Sequence, residues 1–81
     1  MADEQISDHI EKLVDEEHEL LHRAEGERGL DADDHARLEQ VRVELDQCWD
    51  LLRQRRARRR AGQDPDDSSL RSAETVERYL Q

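Results

Sequence analysis

Residues 38–60 read LEQVRVELDQCWDLLRQRRARRR, and this stretch decides the fold. Its apolar residues recur at alternating intervals of three and four, a pattern typical of a helix that packs lengthwise against another helix. The stretch also carries the only Trp and the only Cys of the chain, and it ends in a run of six Arg. We therefore expect a long helix with an apolar seam, an aromatic side chain beside the seam and a basic end.

The composition limits what kind of protein this is. The chain has 81 residues, of which 43% are charged and 2% are aromatic, so a single small domain with a thin core is expected. A net charge of −9 argues against general binding to nucleic acid or to anionic membranes. No apolar run is long enough to span a bilayer, the N-terminus lacks a signal-peptide core, and a single Cys fits a reducing compartment. The composition thus predicts a cytoplasmic protein without a membrane segment.

The predicted fold is all-α, with two long helices and no strand. The first helix is expected over residues 4–25 with Asp3 as its N-cap, and the second over residues 32–61 with Asp31 as its N-cap. Because the connection between them is short, the two helices should form an antiparallel hairpin.

The chain divides into two parts. The hairpin is expected to occupy residues 1–62, and residues 63–81 should form an acidic linker and a short helix at about 73–80. A helix this short does not hold its shape alone in water, so it should dock on the hairpin or on a partner subunit.

A heptad assignment separates the apolar residues into a seam and a strip. The seam is the predicted hairpin core, and it comprises Ile6, Ile10, Leu13, Leu20, Leu38, Val41, Leu45, Cys48 and Leu52. The strip consists of Val14, Leu21 and Trp49, which flank the same side of the seam. An exposed strip that includes the only Trp predicts a dimer interface, and hence a homodimeric four-helix bundle. A monomer capped by the C-terminal helix, a higher oligomer, a domain-swapped form and a hetero-assembly remain as alternatives.

Residues 18–22 match HExxH, the helical motif in which two His bind zinc and the Glu activates water. The heptad assignment places the motif on the face that points away from the neighbouring helix, and no second domain builds a cleft. We interpret the match as coincidental and predict neither an enzyme nor a cofactor. Glu17, at a seam position, is expected to pair with Arg37 or Arg42. The remaining candidates for a metal site are Glu17, His18 and His22.

The arginine run over residues 53–60 supports two interpretations. It could bind nucleic acid, phosphate or an acidic protein through Arg55, Arg56, Arg58, Arg59 and Arg60. The favoured interpretation is pairing with acids of the chain or of a second subunit, because an antiparallel register places Asp3 near Arg55. Interleaved aromatic residues for base stacking are missing from the run.

The stretch LDQCWDLLRQRRA at residues 45–57 resembles a family of short actinobacterial proteins classed as a domain of unknown function (number 2630). Further matching pieces are VDEEH at 14–18, GQDP at 62–65 and VERYLQ at 76–81, so the resemblance covers nearly the whole chain. It implies a bacterial, cytoplasmic, stand-alone protein, and it implies no activity and no functional residues.

The sequence therefore predicts a non-enzymatic interaction or regulatory module that pairs with itself and engages another protein. One alternative is nucleic-acid or phosphate binding through the arginine run. A second is a divalent-metal site around Glu17, His18 and His22.

Overall fold

The computed structural model describes residues 2–80, with side chains as far as residue 78, and the regular structure in this range is helical throughout. Helix α1 spans Asp3–Ala24, α2 spans Ala32–Arg60 and α3 spans Ala73–Leu80, and a 3-10 turn covers Pro65–Asp67. The predicted all-α class is confirmed, and the predicted helix ends lie within one residue of the observed ones. The 3-10 turn was not predicted.

The start of α1 differs from the prediction. Ala2, not Asp3, is the N-cap residue, and the amide of Ala2 donates to Oε1 of Gln5 at 2.9 Å. Asp3 is the first helical residue, and its carboxylate accepts from Arg55 and Arg59 instead of capping α1. Because the Asp3 carboxylate binds the guanidinium groups of Arg55 and Arg59, it does not cap the start of α1.

The ends of α2 follow from local chemistry. The carboxylate of Asp31 accepts from the amide of Asp34 at 2.8 Å, which confirms the predicted N-cap. At the other end, Gly62 has a φ of 73°, and the amide of Gln63 donates to the carbonyl of Arg58 at 2.7 Å. This arrangement is a glycine C-cap, and it ends the helix and reverses the chain. Residues 63–80, which we call the C-terminal segment, therefore return along α2.

The core lies between α1 and α2. Ile6 and Val41 are almost completely buried, and Leu20 and Leu38 extend the buried contact toward the interhelical turn. The central cluster comprises Ile6, Ile10, Leu13, Val41, Leu45, Cys48 and Leu51, with Val14 and Leu52 packed against it. Leu52 is thus only partly buried, whereas Leu51, which was not assigned to the core, is 6% exposed.

Ion pairs across the hairpin fix its register. Arg42 Nε lies 3.3 Å from Glu17 Oε2, and Arg37 Nη2 donates to Glu16 Oε1 at 2.7 Å. The ion pair of Asp3 with Arg55 joins the first residue of α1 to the last turns of α2. The seam of nonpolar side chains and the ion pairs therefore agree on one antiparallel register.

Candidate interaction surface

One face of the hairpin presents large apolar side chains to solvent. Trp49 is 47% exposed and Leu21 is 37% exposed, while Val14 beside them is partly buried. Val14 and Leu21 are seven residues apart on α1, so they lie on the same side of that helix. We call the surface formed by Val14, Leu21 and Trp49 the open face. It contains all three residues predicted from the heptads as a dimer interface, and that role remains a prediction.

The opposite flank of α2 is covered by the C-terminal segment. Gln47 Nε2 donates to the carbonyl of Arg71 at 3.2 Å, and Gln54 Nε2 donates to the carbonyl of Ser69 at 2.7 Å. Val76 of α3 is completely buried. Gln47 and Gln54 point away from Trp49, because separations of two and of five residues along a helix turn the side chain by about 160° and about 140°. The C-terminal segment consequently leaves the open face uncovered.

A buried ion pair anchors the C-terminal segment. Asp50 is 1% exposed, and Arg71 donates to both of its oxygens, through Nε and Nη2, at 2.8 Å each. Gln54 Nε2 donates to Asp50 Oδ2 at 2.9 Å. A bidentate guanidinium with an additional amide donor is the arrangement that a buried carboxylate needs. Asp50 and Arg71 are the two residues that sequence reasoning missed, since neither belongs to a heptad seam or to the arginine run.

The arginine run is divided by the fold. Arg55 is 7% exposed, and Nη1 of its guanidinium donates to Asp66 Oδ1 at 2.9 Å while Nε donates to Asp3. Arg59 also bonds Asp3, and Arg58 Nη1 donates to Gln63 Oε1 at 3.4 Å. Of the five predicted anion-binding residues, these three have partners inside the chain. By contrast, Arg56 and Arg60 are exposed, and neither forms an ion pair within residues 2–80.

These contacts set the protonation of the carboxylates. The hydrogen bonds from Arg59 and Arg55 lower the pKa of Asp3, and the hydrogen bond from Arg55 lowers the pKa of Asp66. Arg37 lowers the pKa of Glu16 in the same way. All three carboxylates therefore hold their negative charge to lower pH than isolated side chains would.

The candidate metal residues are not brought together. His18 and His22 are exposed, and Glu19 of the same motif accepts from Arg23 at 2.8 Å. Glu17 pairs with Arg42, one of the two partners expected for it. Within the described part of the chain, no three His, Cys, Asp or Glu side chains form a cluster that could hold a metal ion. Burial raises the pKa of the Cys48 thiol, which keeps it protonated and unreactive at neutral pH.

No helix in residues 2–80 combines the length and the apolar character needed to cross a bilayer.

The sequence matches the family described as protein of unknown function DUF2630 over residues 2–81. It is 44% identical over 80 residues to uncharacterized protein Rv0898c of Mycobacterium tuberculosis, covering 96% of this chain and 90% of that protein. The same identity and coverage hold for uncharacterized protein Mb0922c of Mycobacterium bovis. No solved structure matches the chain. The heptads, the arginine run and the C-terminal segment described above are thus features of a chain that belongs to the DUF2630 family.

Proposed function

We propose that this protein is a non-enzymatic interaction module, and that it acts as a homodimer formed through the open face. The observation that carries the proposal is the exposure of Trp49, at 47%, on the side of the hairpin that the C-terminal segment leaves uncovered. Large aromatic side chains are enriched in the buried centres of protein interfaces, where they supply much of the binding energy. A cytoplasmic location, suited to the single buried thiol of Cys48, is part of the same proposal.

The size of the core supports an oligomer. The seam between two helices gives this chain few buried apolar side chains, and 43% of its residues are charged. Small domains of this kind gain stability from oligomerisation, because a second copy buries apolar surface that a single hairpin leaves exposed to solvent. Two hairpins stacked by their open faces form a four-helix bundle.

The charges on the two helices favour a second copy as the occupant of the open face. On α1, the acids Glu4 and Glu11 border this face, each preceding by three residues a position on it. On α2, Arg42 and Arg56 lie seven residues before and after Trp49, on its side of the helix. The α1 side of the hairpin is therefore acidic. On the α2 side, the same rule adds further charges, and the arginines outnumber the acids: Arg42, Arg53, Arg56 and Arg60 against Glu39 and Asp46.

This charge pattern also selects an orientation. A two-fold axis parallel to the helices places α1 of one copy over α2 of the other, so that acids meet arginines. A two-fold axis perpendicular to the helices places α2 over α2, so that arginines meet arginines. We infer the parallel axis. It places Trp49 between Ser7 and Val14 of the second copy, since the Asp3–Arg55 and Glu17–Arg42 contacts put Trp49 at a level between these two residues of α1.

The oligomeric state tests the proposal. Light scattering across the micromolar range should give twice the mass of one chain for the native protein and one chain mass for Trp49→Glu. The matched control is Leu70→Glu, because Leu70 is 57% exposed but lies on the side of the cavity lined by Leu51 and Gln47. This control should remain dimeric. A monomeric native protein, or a dimer that survives Trp49→Glu, would overturn the proposal.

The orientation has its own test. In a Cys48→Ala background, a spin label at Glu27→Cys reports the distance between the interhelical turns of the two copies. The parallel axis predicts about 10–25 Å, because packed helices lie about 8–10 Å apart and the label arms add to that spacing. The perpendicular axis predicts a separation approaching the 53 Å length of the chain. A long distance in a proven dimer would contradict the orientation while leaving self-association intact.

A further inference from the structure

A cleft of about 310 Å³ lies on the side of α2 away from the open face. Leu51 lines it, and the separation of two residues from Trp49 turns the two side chains about 160° apart. The core residues Ile6 and Cys48 also line it, and Leu70 of the C-terminal segment stands at its edge, 57% exposed. The other lining residues are polar, and they are His9, Gln40, Glu44 and Gln47. We call this site the apolar cleft.

The position of Leu70 is fixed on both sides by hydrogen bonds to α2. Gln54 Nε2 donates to the carbonyl of Ser69 at 2.7 Å, and Gln47 Nε2 donates to the carbonyl of Arg71 at 3.2 Å. The wall that Leu70 supplies is therefore held against the hairpin before any ligand binds. A preformed site binds more tightly than a mobile one, because less conformational freedom is lost on binding.

Glu44 gives the apolar cleft a negative charge. Its side chain is partly buried, and Oε1 accepts a hydrogen bond from the neutral carboxamide of Gln40 at 3.2 Å. Oε2 accepts none from the side chains described, and Glu44 forms no ion pair with them. The charge of Arg37 also acts on Glu44, but both Nε and Nη2 of Arg37 donate to Glu16. One guanidinium group therefore serves two carboxylates, and one negative charge is left over beside the cleft.

We propose that the apolar cleft binds a small organic amine, a molecule with an apolar body and a protonated amino group. The apolar body covers Ile6, Cys48, Leu51 and Leu70, and the ammonium group donates to the carboxylate of Glu44.

The size and the lining of the cleft suit such a molecule. Small-molecule sites are lined mostly by apolar side chains with a few polar groups that fix the orientation of the ligand, and their volumes start at about 300 Å³. A closed apolar cavity of about 150 Å³ holds benzene. The 310 Å³ of this cleft therefore has room for an aromatic ring with a short chain that ends in an amino group.

A small molecule fits the apolar cleft better than a segment of another protein does. A helix bound in a groove places side chains along several turns, whereas a cleft of about 310 Å³ takes one ring-sized group. The net charge of −9 favours a cation over an anion near the protein. The proposal does not rest on self-association, because the lining residues described all belong to one chain and none belongs to the open face.

Titration of the full chain with 2-phenylethylamine tests the proposal. The comparison compounds are 3-phenylpropionate, an anion with the same ring and linker, and ethylamine, an amine without the ring. The expected result is saturable shifts of the methyl NMR signals of Ile6, Leu51 and Leu70 with 2-phenylethylamine. Neither comparison compound should saturate in the same concentration range.

Substitutions separate the contribution of the carboxylate from that of the apolar wall. Glu44→Gln should weaken binding of 2-phenylethylamine about tenfold, the effect of losing one charged hydrogen bond, and should remove the preference over 3-phenylpropionate. Leu70→Ala should weaken binding about fivefold by removing apolar contact. The matched control is Glu39→Gln, which removes an equal charge from an exposed position of the same helix outside the cleft and should leave the affinity unchanged. Circular dichroism of each variant, with retained helix content, shows that a lost affinity is not a lost fold.

Four results would overturn the proposal. The first is shifts that rise linearly with 2-phenylethylamine without saturating. The second is equally tight binding of 3-phenylpropionate, which would show that the carboxylate does not select the ligand. The third is an equal loss of affinity in Glu39→Gln and Glu44→Gln, which would indicate a general charge effect. The fourth is methyl signals of Leu51 and Leu70 that shift with protein concentration alone, which would assign the cleft to a second copy of the chain.

Discussion

Trp49 and Asp50 are neighbours in sequence, yet their burial is the reverse of what their polarity suggests. The indole is 47% exposed, whereas the carboxylate is 1% exposed. The difference arises because the two side chains point to different flanks of α2. One flank is covered by the C-terminal segment, which supplies Arg71 as a partner, and the other flank has no cover within the chain. Burial along α2 is thus decided by which element lies against each flank, and the uncovered flank is the one that we propose as the surface for a second copy.

The largest effect is expected when the covered flank loses its ion pair. In Arg71→Ala, Asp50 would remain buried without its counter-charge, and breaking a buried pair in this way costs about 3–5 kcal/mol. The free energy of docking limits that cost, because release of the C-terminal segment lets water reach Asp50. Hydrogen exchange should therefore show α3 amides that lose their protection while the amides of α1 and of the first half of α2 keep theirs.

The control for this change is Arg78→Ala. Arg78 also forms an ion pair, with Glu74, but both side chains are largely exposed, and such pairs contribute little to stability. Protection of α3 should be nearly unchanged in this variant. If Arg71→Ala and Arg78→Ala behaved alike, or if Arg71→Ala unfolded the hairpin as well, the covered flank would not be a separately docked unit.

A pair of identical substitutions compares the two flanks directly. Val76 of the C-terminal segment is completely buried, while Val14 is partly buried beside the open face. Val76→Ala should lower the free energy of docking by about 2 kcal/mol, from two lost methyl groups in a closed site. Val14→Ala should cost less than about 1 kcal/mol in dilute, monomeric protein and should instead weaken self-association. Urea unfolding at low concentration, with light scattering at high concentration, measures both. Equal costs for the two changes in dilute protein would contradict the comparison.

The seam and the helix ends could be predicted because they depend on local rules. Alternating spacings of three and four placed Ile10, Val41 and Leu45 in the core, and Asp31 marked the start of α2 through capping chemistry. The antiparallel register followed from the short connection, and it brought Asp3 to Arg55 as expected. Each of these features is encoded within a few residues or by a repeat.

The covered flank could not be predicted in the same way. The chain holds 22 acids and 13 basic residues, so nothing in the sequence distinguishes the pair of Asp50 with Arg71 from many other pairings. The path of the C-terminal segment decides it, and that path depends on the reversal at Gly62 and on the 3-10 turn at Pro65–Asp67. The path of the C-terminal segment also decides which residues of the arginine run have partners. Asp66 of the 3-10 turn reaches Arg55 only because the chain has turned back along α2.

The smallest effect is expected at the end of the hairpin where both flanks meet, and it depends on pH. Arg59 and Arg55 lower the pKa of Asp3 in the folded state, so Asp3 contributes stability above its unfolded pKa, and that contribution is lost as the pH falls through the folded pKa. Asp3→Asn should therefore lower the melting temperature slightly at pH 7. The difference from the native protein should shrink as the pH falls below 3.8, the ordinary pKa of an Asp side chain, and through the lowered pKa of the folded state. Asp8→Asn is the control at pH 7, because Asp8 is exposed on the same helix and forms no ion pair within residues 2–80. If the lower melting temperature of Asp3→Asn persisted unchanged at low pH, residue 3 would act through the start of α1 and not through the two arginines. The ion pairs of Asp3 with Arg55 and Arg59 would then contribute nothing to the packing of α1 against the end of α2.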